Sequence, residues 1–173
     1  MIPTLDTPRL ILREFREADF PDYARLCSDA DVMRYLGGGA PWTAGEAWRH
    51  FAFMIGHWHL REYGPWAVEE KESGRFIGRI GFLNPEGWPD FELGWTLAKE
   101  HWGRGLATEG ARRALRYAFL EMDRDHVISL IHPENRASIR VAEHLGARQA
   151  GTAVVFGREV RIYRTVRTPA AVA

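Results

Sequence analysis

Apolar and polar residues alternate along one stretch near the middle of the chain. Phe91, Leu93, Trp95 and Leu97 are set against Glu92, Gly94 and Thr96, the period of a strand. Beyond a turn holding Gly103 and Gly105, apolar residues recur at helical spacing, at Ala107, Ala111, Ala114, Leu115, Ala118 and Phe119. The other elements read outward from this strand–turn–helix unit. Upstream, residues 7–15 form a first strand, and Asp19 caps a short helix with Pro21 in its first turn. A further short helical piece covers residues 29–36, and Gly37, Gly38 and Gly39 make a loop. Thr43 and Glu46 form a capping box. The helix behind it turns Trp48, Phe51, Ala52, Ile55 and Trp58 inward. Residues 66–70 and 76–83 are two strands joined by a hairpin turn at residues 72–75. Downstream, residues 126–131 are a strand reached by a βαβ-type crossover and stopped by Pro133. Residues 135–145 are a short helix ended by Gly146. Residues 149–156 and 159–166 close as a hairpin around Gly157 and Arg158, and residues 168–173 form a loose tail. No repeat and no domain linker interrupts this pattern, so residues 1–173 read as one domain.

Composition narrows the function classes. Lys plus Arg and Asp plus Glu both number 23, so the formal net charge is zero. That argues against a nucleic-acid binder driven by phosphate neutralisation. The one cysteine, Cys27, excludes an internal disulfide framework and reads as a small buried residue. No apolar run approaches the roughly 20 residues needed to cross a bilayer. The first residues lack the basic and apolar regions of a signal peptide. A soluble cytoplasmic protein, monomeric or homodimeric, with no membrane partner is the expectation. His57 and His59 point apart on a helix, so no metal is expected.

A glycine turn entering a helix leaves backbone N–H groups aimed at one point, at the positive end of the helix dipole. That geometry suits an anion, usually phosphate. Neither a Walker loop nor a dinucleotide fingerprint is present. What stands there is Trp102-Gly103-Arg104-Gly105-Leu106-Ala107, followed by Thr108 and Glu109. This resembles the acyl-CoA pyrophosphate loop, Q/R-x-x-G-x-G/A, of the GNAT superfamily of N-acetyltransferases, and in particular its ribosomal-protein N-terminal acetyltransferase branch. The first signature position departs from the pattern: it is Trp102, which removes a side chain able to order the loop. A second segment, from Asn135 through Ser138 to Gly146 and Ala147, is similar to the N-x-x-S/A…G-F stretch of the same superfamily.

The resemblance covers nearly the whole chain and implies a GNAT fold. That fold is mixed α/β, with one central, mostly antiparallel twisted sheet of six to seven strands, one parallel splayed pair, and about four flanking helices. It implies acetyl-CoA as cosubstrate. The cofactor-binding residues it implies are Gly103, Arg104, Gly105, Leu106, Ala107 and Thr108 at the phosphates, and Asn135 and Ser138 at the pantetheine arm. Many members carry a Tyr at the position of Ala142 to reprotonate the departing thiolate. Its absence makes Ser138 the candidate acid.

The chemistry then asks for a base, because an amine enters mostly protonated at neutral pH and must be neutral to attack a thioester. Glu92, a carboxylate inside an apolar strand, is the candidate; a salt bridge to Arg79 or Arg75 is the alternative reading. Backbone N–H groups near Trp95 to Leu97 would meet the developing oxyanion, with Gly94 marking a bulge that frees them. Trp42, Trp48, Phe53, Trp58, Tyr63 and Trp66 are too many rings for one buried stripe, so some wall the acceptor site. That site is expected between residues 42–66 and the last hairpin, and to take one amine on a partly apolar body. The function expected is direct acetyl transfer to a primary amine of an amino acid, a peptide N-terminus or a small molecule. The alternatives are a non-catalytic acyl-CoA sensor on the same fold, and a nucleotide-phosphate binder using the same helix end.

Overall fold

The computed structural model describes residues 2–169; residues 170–173 of the expected tail lie outside it. The strands are β1 Leu5–Asp6, β2 Leu10–Arg13, β3 Pro65–Glu70, β4 Arg75–Leu83, β5 Glu92–Leu97, β6 His126–Ile131, β7 Arg148–Val155 and β8 Arg158–Val166. They form one sheet in the order β1-β2-β3-β4-β5-β6-β8-β7. All neighbours are antiparallel except β5 and β6. The helices are α1 Phe20–Ser28, α2 Ala30–Met33, α3 Ala44–Arg61, α4 Leu106–Leu120 and α5 Arg136–His144. The described residues thus hold eight strands and five helices, against the six to seven and about four expected. The extra strand is the two-residue β1, which pairs with β2 through Leu5↔Leu12. It is too short to show a period.

Two cores sandwich the sheet. On one face Leu10, Leu12, Ile80, Phe82 and Leu93 pack under α4, whose Ala111, Ala114, Leu115, Ala118 and Phe119 are fully buried. The small alanines let α4 lie close to the strands. A Cβ on Gly110 would stand 2.5 Å from Ile80 Cδ1. On the other face Tyr23, Cys27, Phe51, Met54 and Phe76 join α1 and α3 to the sheet.

The inner stripe of α3 is Ala47, Phe51, Met54 and Trp58. Trp48, Ala52 and Ile55, expected inside, are exposed. Apolar residues occur around most of this helix, so their spacing alone did not fix its rotation. Trp48 instead packs edge-on against Phe20 from outside. The Thr43–Glu46 capping box is formed. Asp19 precedes α1, yet its carboxylate makes no cap bond to that helix. It accepts from both Arg13 Nη atoms at 2.8 Å and from the Arg16 N–H, and Arg13 also pairs with Glu69. A buried carboxylate gains more from a bidentate guanidinium than from one backbone N–H. Among the described residues no helix is long and apolar enough to cross a membrane.

Candidate active site

The sheet forks at its one parallel pair. β5 and β6 share the single register pair Glu92↔Ile128, held by the Ile128 N–H donating to Phe91 O. Beyond it β6 departs from β5, and Ser129 Oγ reaches back to Leu93 O at 2.8 Å. The β4–β5 register runs unbroken from Leu83↔Glu92 to Gly78↔Leu97, so Gly94 marks no bulge. The fork itself frees the backbone. The Ala98 N–H donates to Ile77 O. Antiparallel alternation therefore turns the Trp95 and Leu97 N–H groups away from β4, into the gap that β6 has left.

At the far end of β5 the chain enters α4 through Gly103 (φ 72°) and Gly105 (φ 75°), both in the left-handed region that favours glycine. Gly105 is the N-cap of α4 and no side chain caps the helix. The first intrahelical donor is the Glu109 N–H, bonded to Gly105 O. The N–H groups before it, through Thr108, are left for a ligand. A Cβ on Gly103 would meet nothing within 4 Å, and one on Gly105 only Arg9 Nη2 at 3.7 Å, so the approach is open. Trp102 supplies order of its own: its Nε1–H donates to Leu97 O at 2.8 Å. The loop is pinned from the chain's beginning as well. The Glu109 carboxylate accepts from Thr7 Oγ1, Arg9 N and Arg9 Nε, and Arg9 Nη1 donates to Arg104 O. Burial raises the Glu109 pKa, but these hydrogen bonds outweigh it and hold the carboxyl below its usual range. The Arg104 side chain points elsewhere, ion-paired with Glu70 at 2.9 Å. Leu106 is buried in the core. Of these two residues only the backbone faces the helix end.

Asn135 and Ser138 lie across the fork. Asn135 is the N-cap of α5 and its Oδ1 accepts from the Ser138 N–H at 3.1 Å. Its amide NH2 remains as a donor. Ala142 is fully buried with Ile131, Ala147 and Tyr163.

A cavity of about 740 Å³ runs through the fork and brings Glu92, Trp95, Asn135 and Ser138 together. Leu97 and the glycine loop lie outside its lining. Glu92 is buried and its Oε2 accepts from Trp88 Nε1–H at 2.7 Å. Burial raises its pKa; the Trp88 hydrogen bond, the Arg79 charge and a hydrogen bond from the Leu130 backbone oppose the rise. No ion pair joins Glu92 to Arg79 or Arg75 among the described residues, so the salt-bridge alternative is not what the structure shows. Of the surplus rings, Trp42 and Phe53 line the cavity, facing Phe156 and Arg158 of the last hairpin. Trp58, Tyr63 and Trp66 are core, and Trp48 is on the surface. Arg158 Nη1 donates to Arg34 O and Gly37 O, tying that hairpin to the glycine loop, and Gly37 and Gly38 also line the cavity. His57 sits between Tyr63 O and the Asn84 N–H. Because Nε2 accepts, Nδ1 carries the proton, and both nitrogens are used within the fold.

Sequence reasoning missed a polar group inside the cavity. His50 Nδ1 lies 2.7 Å from the Tyr23 hydroxyl, and burial lowers its pKa to about 3, so the imidazole is neutral. Arg79 stands beside it. The available signal was an arginine among the apolar residues of β4, read only as a partner for Glu92.

A forked sheet with free strand donors at the fork and an uncapped helix end beyond it suits an extended ligand with an anionic group at one end and acceptor oxygens along its length. Residues 9–148 match the family model described as the acetyltransferase (GNAT) domain, and the chain belongs to that family. It is 31% identical over 147 residues to YnaD of Bacillus subtilis (strain 168), named as an uncharacterized N-acetyltransferase, covering 85% of this chain and 84% of that protein. The crystal structure of an acetyltransferase from Agrobacterium tumefaciens matches with a TM-score of 0.86 at 33% identity, covering 96% of each chain. Mycobacterium smegmatis RimJ in complex with CoA-disulfide shares the fold, with a TM-score of 0.78 at 18% identity over 95% of this chain and 88% of that one.

Proposed function

We propose that this protein moves the acetyl group of acetyl-CoA directly to the primary amine of an amino acid, a peptide N-terminus or another small amine. The observation that carries this reading is Glu92: a buried carboxylate held by Trp88 Nε1–H and by the Leu130 backbone, in the wall of a cavity that opens at the fork. The GNAT family uses acetyl-CoA, and the donors in this chain suit it. The α4 end and Gly103 to Thr108 would take the phosphates, and the Asn135 NH2 the amides of the pantetheine arm. Acetyl-CoA supplies an activated acyl carbon. The residues do the rest. Glu92 takes the proton that the amine loses as its nitrogen bonds to that carbon. The Trp95 and Leu97 N–H groups face the oxygen that gains charge. As the carbon–sulfur bond breaks, Ser138 Oγ–H donates to the departing sulfur. We also place the enzyme in the cytoplasm as a single-domain monomer or homodimer.

The test is release of free CoA thiol in the presence of an amine panel. Glu92→Gln should lower kcat/KM by about 100-fold at neutral pH and by less at high pH, where the amine is already neutral. In the wild type the acid limb of the pH profile should sit above the ordinary carboxylate range, because burial raises the Glu92 pKa. That limb should vanish in the Gln variant. Stability runs the other way. The folded-state pKa lies above the unfolded one, so stability is fully present below the unfolded value and is lost as pH rises through the folded value. Gln, always neutral, removes that loss, and the variant should melt no lower than wild type at neutral pH. An unchanged rate would remove Glu92 from the mechanism. Ser138→Ala should lower kcat by about 10- to 100-fold while KM for acetyl-CoA stays within about 3-fold, since the hydroxyl acts only as sulfur departs. Equal effects on both would make Ser138 a binding residue.

A further inference from the structure

Arg79 brings a positive charge into a cavity that holds little to balance it. It stands on β4 directly opposite Thr96 of β5, so it shares a face with Glu92 and Gly94. Among the described residues no carboxylate lies within ion-pair distance of its guanidinium. It donates a hydrogen bond to the Tyr23 hydroxyl and its charge acts on Tyr23, Cys27 and His50, all three kept neutral by burial, so none balances it. A partly buried cation is costly without an anionic partner. Thr96 lines the same cavity, and its buried Oγ1 has no hydrogen-bond partner. A guanidinium and an unpaired hydroxyl on adjacent strands are the donors a carboxylate needs.

Gly94 fixes the distance from these donors to the base. The position its Cβ would take is 3.7 Å from Glu92 Oε1 and 4.0 Å from Arg79 Nη1. The missing side chain therefore leaves a hollow with a carboxylate on one side and a guanidinium on the other. Glu92 Oε2 is engaged by Trp88, so Oε1 is the oxygen turned to this hollow. Trp42, Phe53 and Phe156 add apolar wall to the cavity, beside the polar side chains of Glu46, Arg49, Glu86 and Arg158.

We propose that the acceptor is a free α-amino acid with a large apolar side chain, its carboxylate held by Arg79 and Thr96 and its amine set against Glu92 over the bare backbone of Gly94. An α-amino acid carries its amine and carboxylate on one carbon, which matches opposite charges flanking one glycine. A peptide N-terminus has an amide there, and would leave Arg79 unpaired. This inference rests on the acetyltransferase reading above.

The experiment measures kcat/KM with acetyl-CoA for L-phenylalanine, L-tryptophan, L-methionine and L-leucine, for the amide of each, and for phenethylamine and tryptamine. Wild type should favour each acid over its amide by about 10- to 100-fold, the loss expected for one charge-assisted hydrogen bond. Arg79→Gln should remove that preference, lowering activity on the acids about 10- to 100-fold more than on the amides and amines. Rates are compared on the plateau above the acid limb, because loss of the Arg79 charge also shifts the Glu92 carboxyl upward, and an unchanged melting temperature shows that the variant is folded. Arg79→Lys should restore part of it, since the charge returns without the planar fork. If amides and amines are used as well as the acids, or if Arg79→Gln lowers all substrates equally, the carboxylate subsite is overturned and the acetyltransferase reading stands. If no amine releases CoA from an enzyme that binds acetyl-CoA, that reading fails and this one with it.

Discussion

Gly105→Val is expected to raise the Kd for coenzyme A by at least about 100-fold in a protein that still folds. Gly105 caps α4 with no side chain and sits at φ 75°. Around it the N–H groups of the helix end are bare, and the only atom near a new Cβ is Arg9 Nη2. Valine would place two methyl groups where the ligand's phosphates approach. It would also add roughly 1–2 kcal/mol of left-handed strain, lowering Tm by a few degrees. Gly105→Asn separates the two effects. Asn tolerates this backbone, so Tm should recover while binding stays weak. Calorimetry on both variants is the measurement, and an unchanged Kd in folded Gly105→Val would remove the helix end from the binding site.

Gly78→Ala should be the more damaging change to the fold, costing about 3–5 kcal/mol from steric overlap and backbone strain together. Its Cβ would stand 2.2 Å from Thr96 O and 2.8 Å from Leu97 Cα, both backbone of the neighbouring strand. The position lies beside a bulge: Val68 pairs with Gly78 and Glu69 with Phe76, leaving Ile77 as the extra residue. Relief would require β4 and β5 to part, and these strands carry Arg79 and Glu92. Denaturant unfolding should show a lower midpoint with an unchanged slope. The same substitution at Gly94 would meet only the ends of Glu92 and Arg79 at ordinary contact distance. A Gly78→Ala protein as stable as wild type would contradict this packing.

The sequence made legible those parts of the molecule that depend on local pattern. The period of α4 is legible because Ala111, Ala114, Leu115, Ala118 and Phe119 recur on one face with Arg112, Arg113 and Arg116 between them. The Thr43–Glu46 box is a local signal, two residues three positions apart, and it is formed. What failed depended on long-range partners. Asp19 looked like a cap because nothing local reveals that Arg13 turns to meet it. The rotation of α3 was misjudged because Trp48 and Ile55 are as apolar as the residues that are buried. Gly94 was read as a bulge, whereas the free donors come from the departure of β6, a relation between strands more than thirty residues apart. The group formed by Tyr23, His50 and Arg79 joins α1, α3 and β4, and only the register of β4 against β5 brings it opposite Glu92.

The single rung between β5 and β6 also bears on cooperativity. Strands β1 to β5 are laced together by many-runged ladders, and so are β6, β8 and β7, but within the sheet one register pair joins the two sets, helped by the Ser129–Leu93 hydrogen bond and the flank of α4. Local opening spreads most readily where neighbouring strands share many bonds. The seam is where it would stop, and each set can loosen with little help from the other. A molecule lodged in the fork and bonded to both sides would act as the missing strand, so that the eight strands then resist unfolding as one body.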